Sequence, residues 1–157
     1  MQIRRRAGIL IVSAIFLAAA TACGDDSADN NDTSGGGGGA VGSTDVTEKD
    51  FSIALANSTL TSGDVTFHIT NDGPAVHEFV VFKTDLDEAD LPKTTDDDGN
   101  EIVDEEGEGV EAIDEVEDVA VDSTQDLDVT LDAGSYVAIC NLPGHYDAGM
   151  HTSFTVE

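Results

Sequence analysis

Near its carboxyl end the chain reads CNLPGHYDAGM, residues 140–150. Cysteine, histidine and methionine recur in this stretch at intervals of five, as Cys140, His145 and Met150. A short apolar run leads into the stretch, and a final segment in which apolar and polar residues alternate follows it. Alternation of this kind is typical of β-strands. We therefore expect a loop between two strands that turns three metal-binding side chains towards one point.

A fourth candidate ligand lies upstream. His77 follows a turn-rich cluster at residues 71–76, so it can approach the loop from another strand. A soft thiolate, two imidazoles and a weak thioether form a trigonal site with a distant axial ligand, which suits copper in both oxidation states. The residues predict one copper ion (Cu+/Cu2+), held by His77, Cys140, His145 and Met150, and one-electron transfer as its chemistry.

The rest of the chain from Asp50 onward consists of short segments with a period of two, separated by turn residues. No comparable stretch combines helical caps with a helical period. The pattern favours an all-β fold, an antiparallel Greek-key sandwich or barrel. The predicted strands are 51–55, 64–70, 78–82, 126–132, 136–140 and 153–157.

The first 22 residues have the layout of an export signal. Three arginines at 4–6 precede an apolar run at 7–20 and small residues before Cys23. The run is shorter than the roughly 20 apolar residues of a membrane span. The residues before Cys23 resemble a bacterial lipobox, with Ala20 where leucine is usual, which implies that Cys23 is lipid-modified. The alternative is an ordinary signal whose cleavage leaves a cysteine.

Residues 23–44 are polar and contain five consecutive glycines at 35–39. Such a stretch cannot bury enough apolar surface to fold, so it is interpreted as a flexible tether. With Cys23 as a lipid anchor, the domain would lie at the outer face of the cell membrane. Cys140 would then be the sole remaining thiol of an exported chain, without a partner for an intramolecular disulfide.

Residues 45–157 are predicted to form one domain with a long acidic insertion at about 84–122. The insertion holds eighteen Asp and Glu residues against one basic residue, Lys93. We do not expect it to be core, although scattered apolar residues such as Ile102 and Ile113 can attach parts of it to the sandwich. Long excursions of this kind tend to be functional or mobile.

The net charge of the whole chain is −27 at pH 7. So strong a negative field repels phosphate backbones and excludes nucleic-acid binding. Charged partners should instead be basic. An acidic surface that keeps the protein soluble in a salty habitat is the alternative origin of the charge.

The metal-binding stretches resemble those of the cupredoxins, the family of plastocyanin and azurin. The resemblance is carried by Cys140 at a strand end, the Pro-Gly-His step at 143–145 and the Gly-Met pair at 149–150. Upstream, the Asn-x-Gly turn at 71–73 followed by His77 is similar to the histidine turn of that family.

The resemblance covers about residues 50–157 without most of the acidic insertion. It implies a monomeric type 1 (blue) copper protein that passes electrons between redox proteins. It also implies strong equatorial ligands and one weak axial ligand, namely His77, Cys140 and His145, with Met150 axial. Many relatives carry an amide after the first histidine, whereas this chain has Glu78.

Other functions use the same residues. A copper module for storage, delivery or sensing would need the same four ligands, and a purely structural sandwich would need none of them. Multicopper enzymes flank the copper cysteine with histidines, but here Ile139 and Asn141 occupy those places. A second centre for reducing oxygen or nitrite is not predicted, so we do not expect an enzyme.

Three further features are expected to have no metal role. His68 alternates with the core positions of its strand and should face solvent. His151 follows Met150 directly and should point away from the metal. Residues 94–105 faintly resemble a calcium loop, but Thr94 stands where aspartate should begin it, and a solvated acidic loop is favoured.

Overall fold

The computed structural model describes residues 42–157, and within them the backbone forms eleven β-strands and no helix. The strands are β1 (Gly42–Lys49), β2 (Ser52–Leu55), β3 (Thr59–Leu60), β4 (Gly63–Asn71), β5 (His77–Lys83), β6 (Lys93–Thr95), β7 (Glu101–Val103), β8 (Glu111–Val119), β9 (Thr124–Leu131), β10 (Gly134–Ile139) and β11 (His151–Val156). None of the described segments is a helix long and apolar enough to cross a membrane.

The predicted export signal, the lipidation at Cys23 and most of the predicted tether lie outside the described residues. β1 begins at Gly42, three residues before the domain boundary that the composition suggested at 45. Small and polar residues open this strand, which is why its start resembles the tether in sequence.

Two sheets form a sandwich, which confirms the predicted all-β fold. One sheet has the order β2-β1-β4-β9 and the other has the order β3-β11-β10-β5-β8, while β6 and β7 form a separate hairpin. Two pairs, β1 with β4 and β3 with β11, are parallel rather than antiparallel as predicted. The reason is a crossover between the sheets. After β1 the chain reverses into β2 in the first sheet, then passes through β3 in the second sheet, and it re-enters the first sheet as β4 in the same direction as β1.

The interior of the sandwich is filled by alternate residues of facing strands. The rings of Phe67, Phe79 and Phe154 meet there, with centroids 5.4 Å apart for Phe67 and Phe79 and 5.7 Å apart for Phe67 and Phe154. All three side chains are buried. Burying one such side chain stabilises the fold by about 1.5–3 kcal/mol, so this cluster holds the two sheets together.

The acidic insertion is more ordered than its composition suggests. Its last part forms β8, which pairs with β5 at the edge of the second sheet. Leu91 and Val103 are buried in a second cluster with Val80 and Phe82, on the outer face of that sheet. The expectation that the insertion is not core is wrong at Leu91, whereas Val103 is one of the apolar residues that were expected to attach the insertion to the sandwich. The few apolar side chains turn inward while most of the carboxylates remain in solvent.

One carboxylate lies inside the sandwich. Glu48, on β1, has no exposed surface, and neither of its carboxylate oxygens has a hydrogen-bond partner among the described residues. Burial raises the pKa of Glu48 to about 8, and the nearby charge of Glu78 adds to the effect. A neutral carboxylic acid is much less costly to bury than its anion, so Glu48 holds a proton at neutral pH.

Ionisation of Glu48 should destabilise the metal-free protein as the pH rises. Its pKa is about 8 in the folded state, against an ordinary value of 4.5. The folded state therefore binds the Glu48 proton more tightly than the unfolded state does. The stability that this proton contributes is lost between pH 4.5 and 8, by at most about 1.4 kcal/mol per pH unit. In Glu48→Gln, the fall in the free energy of unfolding between pH 5 and pH 8 should be smaller than in the wild type.

Urea unfolding at several pH values measures this difference. Glu111→Gln is the matched control, because it removes a carboxylate from an exposed position on β8. Equal pH dependence in the wild type and in Glu48→Gln would show that Glu48 does not titrate in this range.

Candidate metal centre

The structure brings together three of the four predicted ligands. His77 is the first residue of β5, Cys140 directly follows β10, and His145 lies in the loop before β11. Cys140 Sγ is 3.2 Å from His145 Nδ1, and this nitrogen is 3.4 Å from His77 Nδ1. First-row metals bind imidazole nitrogen at about 2.0–2.1 Å and thiolate at about 2.3 Å, so donors that share one ion stand about 3–4 Å apart. The donor set therefore fits a metal.

The fourth predicted ligand, Met150, belongs to the same group of contacts. Its carbonyl accepts a hydrogen bond from the backbone N–H of Cys140 at 3.0 Å, and its own N–H donates to the carbonyl of His145 at 3.1 Å. Its side chain is buried in the same core cluster as Cys140. His77, Cys140 and Met150 have no exposed surface, whereas His145 is partly exposed. His145 is thus the candidate ligand that meets the surface.

Glycines give the ligand loop its shape. Gly144 has a φ of 80° and Gly149 a φ of 99°, a region that other residues rarely adopt. Between them the chain folds into a compact turn, in which the N–H of Ala148 donates to the carbonyl of Gly144 at 3.1 Å. The glycines of the Pro-Gly-His step and of the Gly-Met pair therefore shape the backbone. Each glycine directly precedes a candidate ligand and turns the chain towards it.

Burial keeps Cys140 and His77 uncharged without a metal. Burial raises the pKa of the Cys140 thiol to about 11, although the backbone N–H groups of Leu142 and Glu78 oppose the shift by donating to the sulfur. Burial, reinforced by His145, lowers the pKa of His77. A metal must therefore displace a proton from the thiol, while it finds the imidazole of His77 neutral.

The turn before His77 is held by one amide side chain. Asn71 Nδ2 donates to the carbonyls of Ala75 and Val119, both at 2.8 Å, and Asn71 Oδ1 accepts from the N–H of Gly73 at 2.8 Å. A Cβ at Gly73 would lie 2.9 Å from His77 Nε2. The Asn-x-Gly turn thus fixes the backbone at the first ligand and leaves space for its ring.

Glu78 stands where many cupredoxins have an amide, and its backbone makes the connection between the two ligand segments. Its N–H lies 3.4 Å from Cys140 Sγ and points towards it. Its side chain lies beside Glu115 and Glu117, and burial together with these carboxylates raises its pKa to about 7.

The acidic insertion anchors the loop between the ligands. The hydroxyl of Tyr146 accepts from the N–H of Leu91 at 3.0 Å and donates to the carbonyl of Glu88 at 2.9 Å. Asn141 Oδ1 accepts from the N–H of Val103 at 2.8 Å. Each of these bonds joins a residue next to a ligand to the insertion.

A salt bridge adds to these hydrogen bonds. The single basic residue of the insertion, Lys93, pairs with Asp147 of the loop and with Glu101 of its own hairpin. The sequence did not predict this arrangement, because the excess of acidic residues hides the few that face the loop.

The turn between β1 and β2 was also missed. Asp50 Oδ1 lies 3.2 Å from His77 Nε2, and the ring of Phe51 makes an edge contact with the ring of His145, with centroids 5.4 Å apart. Phe51 was assigned to a strand because it alternates with Ile53, but β2 begins at Ser52. Alternation of apolar and polar residues does not show whether its first residue belongs to the strand or to the turn before it.

The two remaining histidines do not belong to the group formed by His77, Cys140 and His145. His68 pairs with Asp126 at 2.7 Å on the outer face of the first sheet. His151 packs against the ring of Tyr146. The segment that resembled a calcium loop is the β6–β7 hairpin, where Asp96 accepts hydrogen bonds from the N–H groups of Asp98 and Asn100.

The described chain is thus a two-sheet β-sandwich with a two-histidine, one-cysteine group at one end. No protein-family model matches the chain, and no curated protein matches it. Among solved structures it is similar to a reduced auracyanin from Roseiflexus castenholzii, with 19% identity, a TM-score of 0.54, and 76% of this chain and 99% of that chain covered.

Two further structures are similar. Auracyanin A, a blue copper protein from Chloroflexus aurantiacus, has 20% identity and a TM-score of 0.52, with 73% of this chain and 98% of that chain covered. An azurin from Methylomonas sp. strain J has 14% identity and a TM-score of 0.51, with 75% and 99% covered. The chain therefore has the cupredoxin fold, as its loop motif predicted.

The Tyr146 contacts should keep the ligand loop ordered. In Tyr146→Phe the buried N–H of Leu91 loses its partner, which should lower the free energy of unfolding by about 1–3 kcal/mol. Hydrogen exchange of the amides at 141–149 should accelerate more than exchange in the sheets.

Tyr136→Phe is the matched control, since it removes one hydroxyl hydrogen bond, to the carbonyl of Asp132, from a strand rather than from the loop. If the two variants accelerate exchange in the loop equally, the insertion does not hold it.

Proposed function

We propose that this protein is a one-electron carrier with a single type 1 copper ion. The observation that carries the proposal is the meeting of Cys140 Sγ with the Nδ1 atoms of His77 and His145, in a group of which only His145 reaches the surface. The equatorial ligands would be these three residues, and Met150 would be the weak axial ligand. A thiolate with two imidazoles and a distant thioether suits both oxidation states of copper.

The surroundings of the ligands favour electron transfer over metal delivery. Three of the four proposed ligands are fully buried, and the loop between them is fastened to the insertion. Copper bound there would be slow to leave, and its ligands would move little when its charge changes. Auracyanin A, which shares the fold, is a blue copper protein, and this supports the same chemistry here.

The route for the electron would be the exposed edge of His145. Apolar side chains are exposed at this end of the sandwich: Phe51 touches His145, and Val76 directly precedes His77. Such a patch can pack against a partner and exclude water between the two redox centres. The partners would be redox proteins whose surface is basic around the contact, since the chain carries a net charge of −27.

The sequence before the described domain would place this carrier outside the cytoplasm. The export signal and Cys23 favour a lipoprotein anchored to the outer face of the cell membrane, and the Gly-rich tether would let the domain reach partners above the bilayer. Mass spectrometry of the mature protein tests this, because a diacylglyceryl modification on Cys23 is expected at its amino terminus.

Removing the thiolate should abolish the colour of the protein. The oxidised wild type should show an intense visible band from charge transfer between the Cys140 thiolate and copper. In Cys140→Ser this band should vanish while the circular dichroism of the sheets is retained, because Cys140 lies at a strand end and serine is smaller.

Met150→Leu tests the proposed axial ligand. It should keep the band and alter the reduction potential, since leucine fills similar space without a sulfur. A wild type that binds copper without the band would contradict the carrier and favour a module for copper delivery.

The negative field should control the rate of electron exchange. Oxidation of the reduced protein by a cationic cobalt(III) phenanthroline complex should slow as ionic strength rises from 0.01 to 0.15 M, because the Debye length shrinks from about 30 to about 8 Å. Oxidation by anionic hexacyanoferrate(III) should accelerate over the same range. Stopped-flow absorbance at the visible band measures both rates, and parallel responses to salt would show that the net charge does not act at the electron-transfer surface.

A further inference from the structure

The turn that joins β1 to β2 contains an unusual backbone conformation. Lys49 pairs with Ser52, so the loop consists of only Asp50 and Phe51. Phe51 has a φ of 58°, in the left-handed region where two-residue hairpin loops normally place glycine or asparagine. For a bulky aromatic residue this conformation is rare and unfavourable.

Burial does not compensate for the strain at Phe51. Phe51 is 47% exposed, the highest value among the large apolar residues that the described part of the chain exposes. A glycine in its place would adopt the same φ without strain and would not leave an aromatic ring in water. The presence of phenylalanine therefore points to a role for the ring itself.

The two loop residues contact the two histidines of the metal centre. Asp50 Oδ1 lies 3.2 Å from His77 Nε2, the ring nitrogen that faces away from the other ligands. The ring of Phe51 contacts that of His145 edge-on, at a centroid distance of 5.4 Å and an interplanar angle of 88°. One tight turn thus reaches both imidazoles.

Gly73 keeps space for the Asp50 contact. A Cβ at Gly73 would lie 2.9 Å from His77 Nε2 and 3.1 Å from Asp50 Oδ1. The turn before His77 and the turn after β1 therefore meet at the point where the carboxylate approaches the imidazole. The pair has the separation of a hydrogen bond but not its alignment in this structure.

A carboxylate at this nitrogen determines how His77 can bind a metal. A proton on Nε2 faces Asp50 and leaves the lone pair of Nδ1 directed at Cys140 and His145. Carboxylates that contact the second nitrogen of a ligand histidine fix its tautomer and orientation, and their loss typically weakens metal affinity by about 10–100-fold. The negative charge also favours the more highly charged state of a bound metal.

The Phe51 ring acts on the other histidine. His145 is the partly exposed member of the group, so its ring is the one that water can reach and that can turn. An aromatic ring packed against its face or edge restricts that rotation and covers part of the exposed surface. The positive edge of one ring meets the negative face of the other in such a contact.

We propose that Asp50 and Phe51 are positioning residues for the metal centre, Asp50 by orienting His77 and Phe51 by holding and shielding His145. The inference deepens the proposed function, since it assigns the residues that prepare the same centre. Asp50 and Phe51 would have these positioning roles both before and after a metal binds.

The first experiment compares Asp50→Ala with Asp72→Ala in the full-length mature chain. Asp72 is exposed, lies in the turn before His77 and makes no side-chain hydrogen bond among the described residues. Asp72→Ala therefore removes the same charge from a turn that also adjoins His77. Nitrogen-detected NMR of the metal-free proteins reports the tautomer of His77. Asp50→Ala should convert a single Nε2–H tautomer into a mixture, whereas Asp72→Ala should leave it unchanged.

Metal affinity gives a second measurement. Asp50→Ala should bind Zn2+ and Cu2+ about 10–100-fold more weakly than Asp72→Ala in competition with a chromophoric chelator. Asp50→Asn separates the effect of the charge from that of the acceptor, because the amide oxygen keeps an acceptor beside His77 Nε2 without the negative charge. If Asp50→Asn weakens Cu2+ tenfold relative to Cu+, the reduction potential rises by about 59 mV.

The role of Phe51 is tested by Phe51→Gly and Phe51→Leu. Glycine should relieve the backbone strain and raise the thermal midpoint of the metal-free protein, but it should also increase relaxation of water protons by the Cu2+ form, because His145 is uncovered. Leucine keeps an apolar cover and the strained φ, so it should give a water relaxation closer to that of the wild type.

The proposal is overturned if Asp50→Ala matches Asp72→Ala in tautomer and in Zn2+ affinity, or if Phe51→Gly leaves water relaxation unchanged. These outcomes are distinct from failure of the proposed function. A wild type that binds Cu2+ without an intense visible band would refute the blue-copper carrier, while the tautomer and Zn2+ measurements would still test the positioning roles.

Discussion

The register of β10 on β5 is the constraint on which the metal centre depends. Ile139 pairs with Val80, so the residue after β10, Cys140, lies beside the start of β5, where His77 is the first residue. Side chains alternate between the faces of a strand, and a shift of one residue would turn the Cys140 thiol to the outer face. The interior cluster and the insertion, which cover the two faces of this sheet, both oppose such a shift.

The insertion has a structural role at the site as well as a contribution to the charge. It covers the outer face of the second sheet with Leu91 and Val103 and fastens the loop through Tyr146. In a sandwich of two sheets, the outer face of β5 and β10 would otherwise be exposed to water. The acidic surface is thus carried by a layer that is itself needed for the shape of the ligand loop.

Sequence reasoning could identify the candidate ligands because their chemistry and spacing are local properties. The loop from Cys140 to Met150 contains its own glycine turns, so its conformation is largely encoded within eleven residues. The strands at 64–70 and 126–132 were predicted because one face of each is buried and the other is in solvent, which gives a clear period of two. Both signals require only neighbouring residues.

What the sequence left hidden depends on contacts between distant segments. The start of β1 pairs with β4 alone, because β2 reaches only Val46–Lys49, and its small and polar residues do not differ from those of a tether. In β8 both faces carry carboxylates, so the pattern that would mark a strand is absent. Asp50 and Phe51 contact the histidines only because the first hairpin folds over the end of the second sheet, and no local signal records that approach.

The unfavourable features of the molecule are concentrated at the metal end. Glu48 is buried there with no hydrogen-bond partner for its carboxyl group among residues 42–157, Phe51 adopts a left-handed conformation, and the pKa of the buried Cys140 thiol is raised. Each of these would be selected against in a merely structural sandwich, because a smaller or apolar residue would be more stable at the same position. A bound cation would offset part of the cost, since it stabilises the thiolate. Their common location therefore argues that this end of the fold is built for binding a metal rather than for stability.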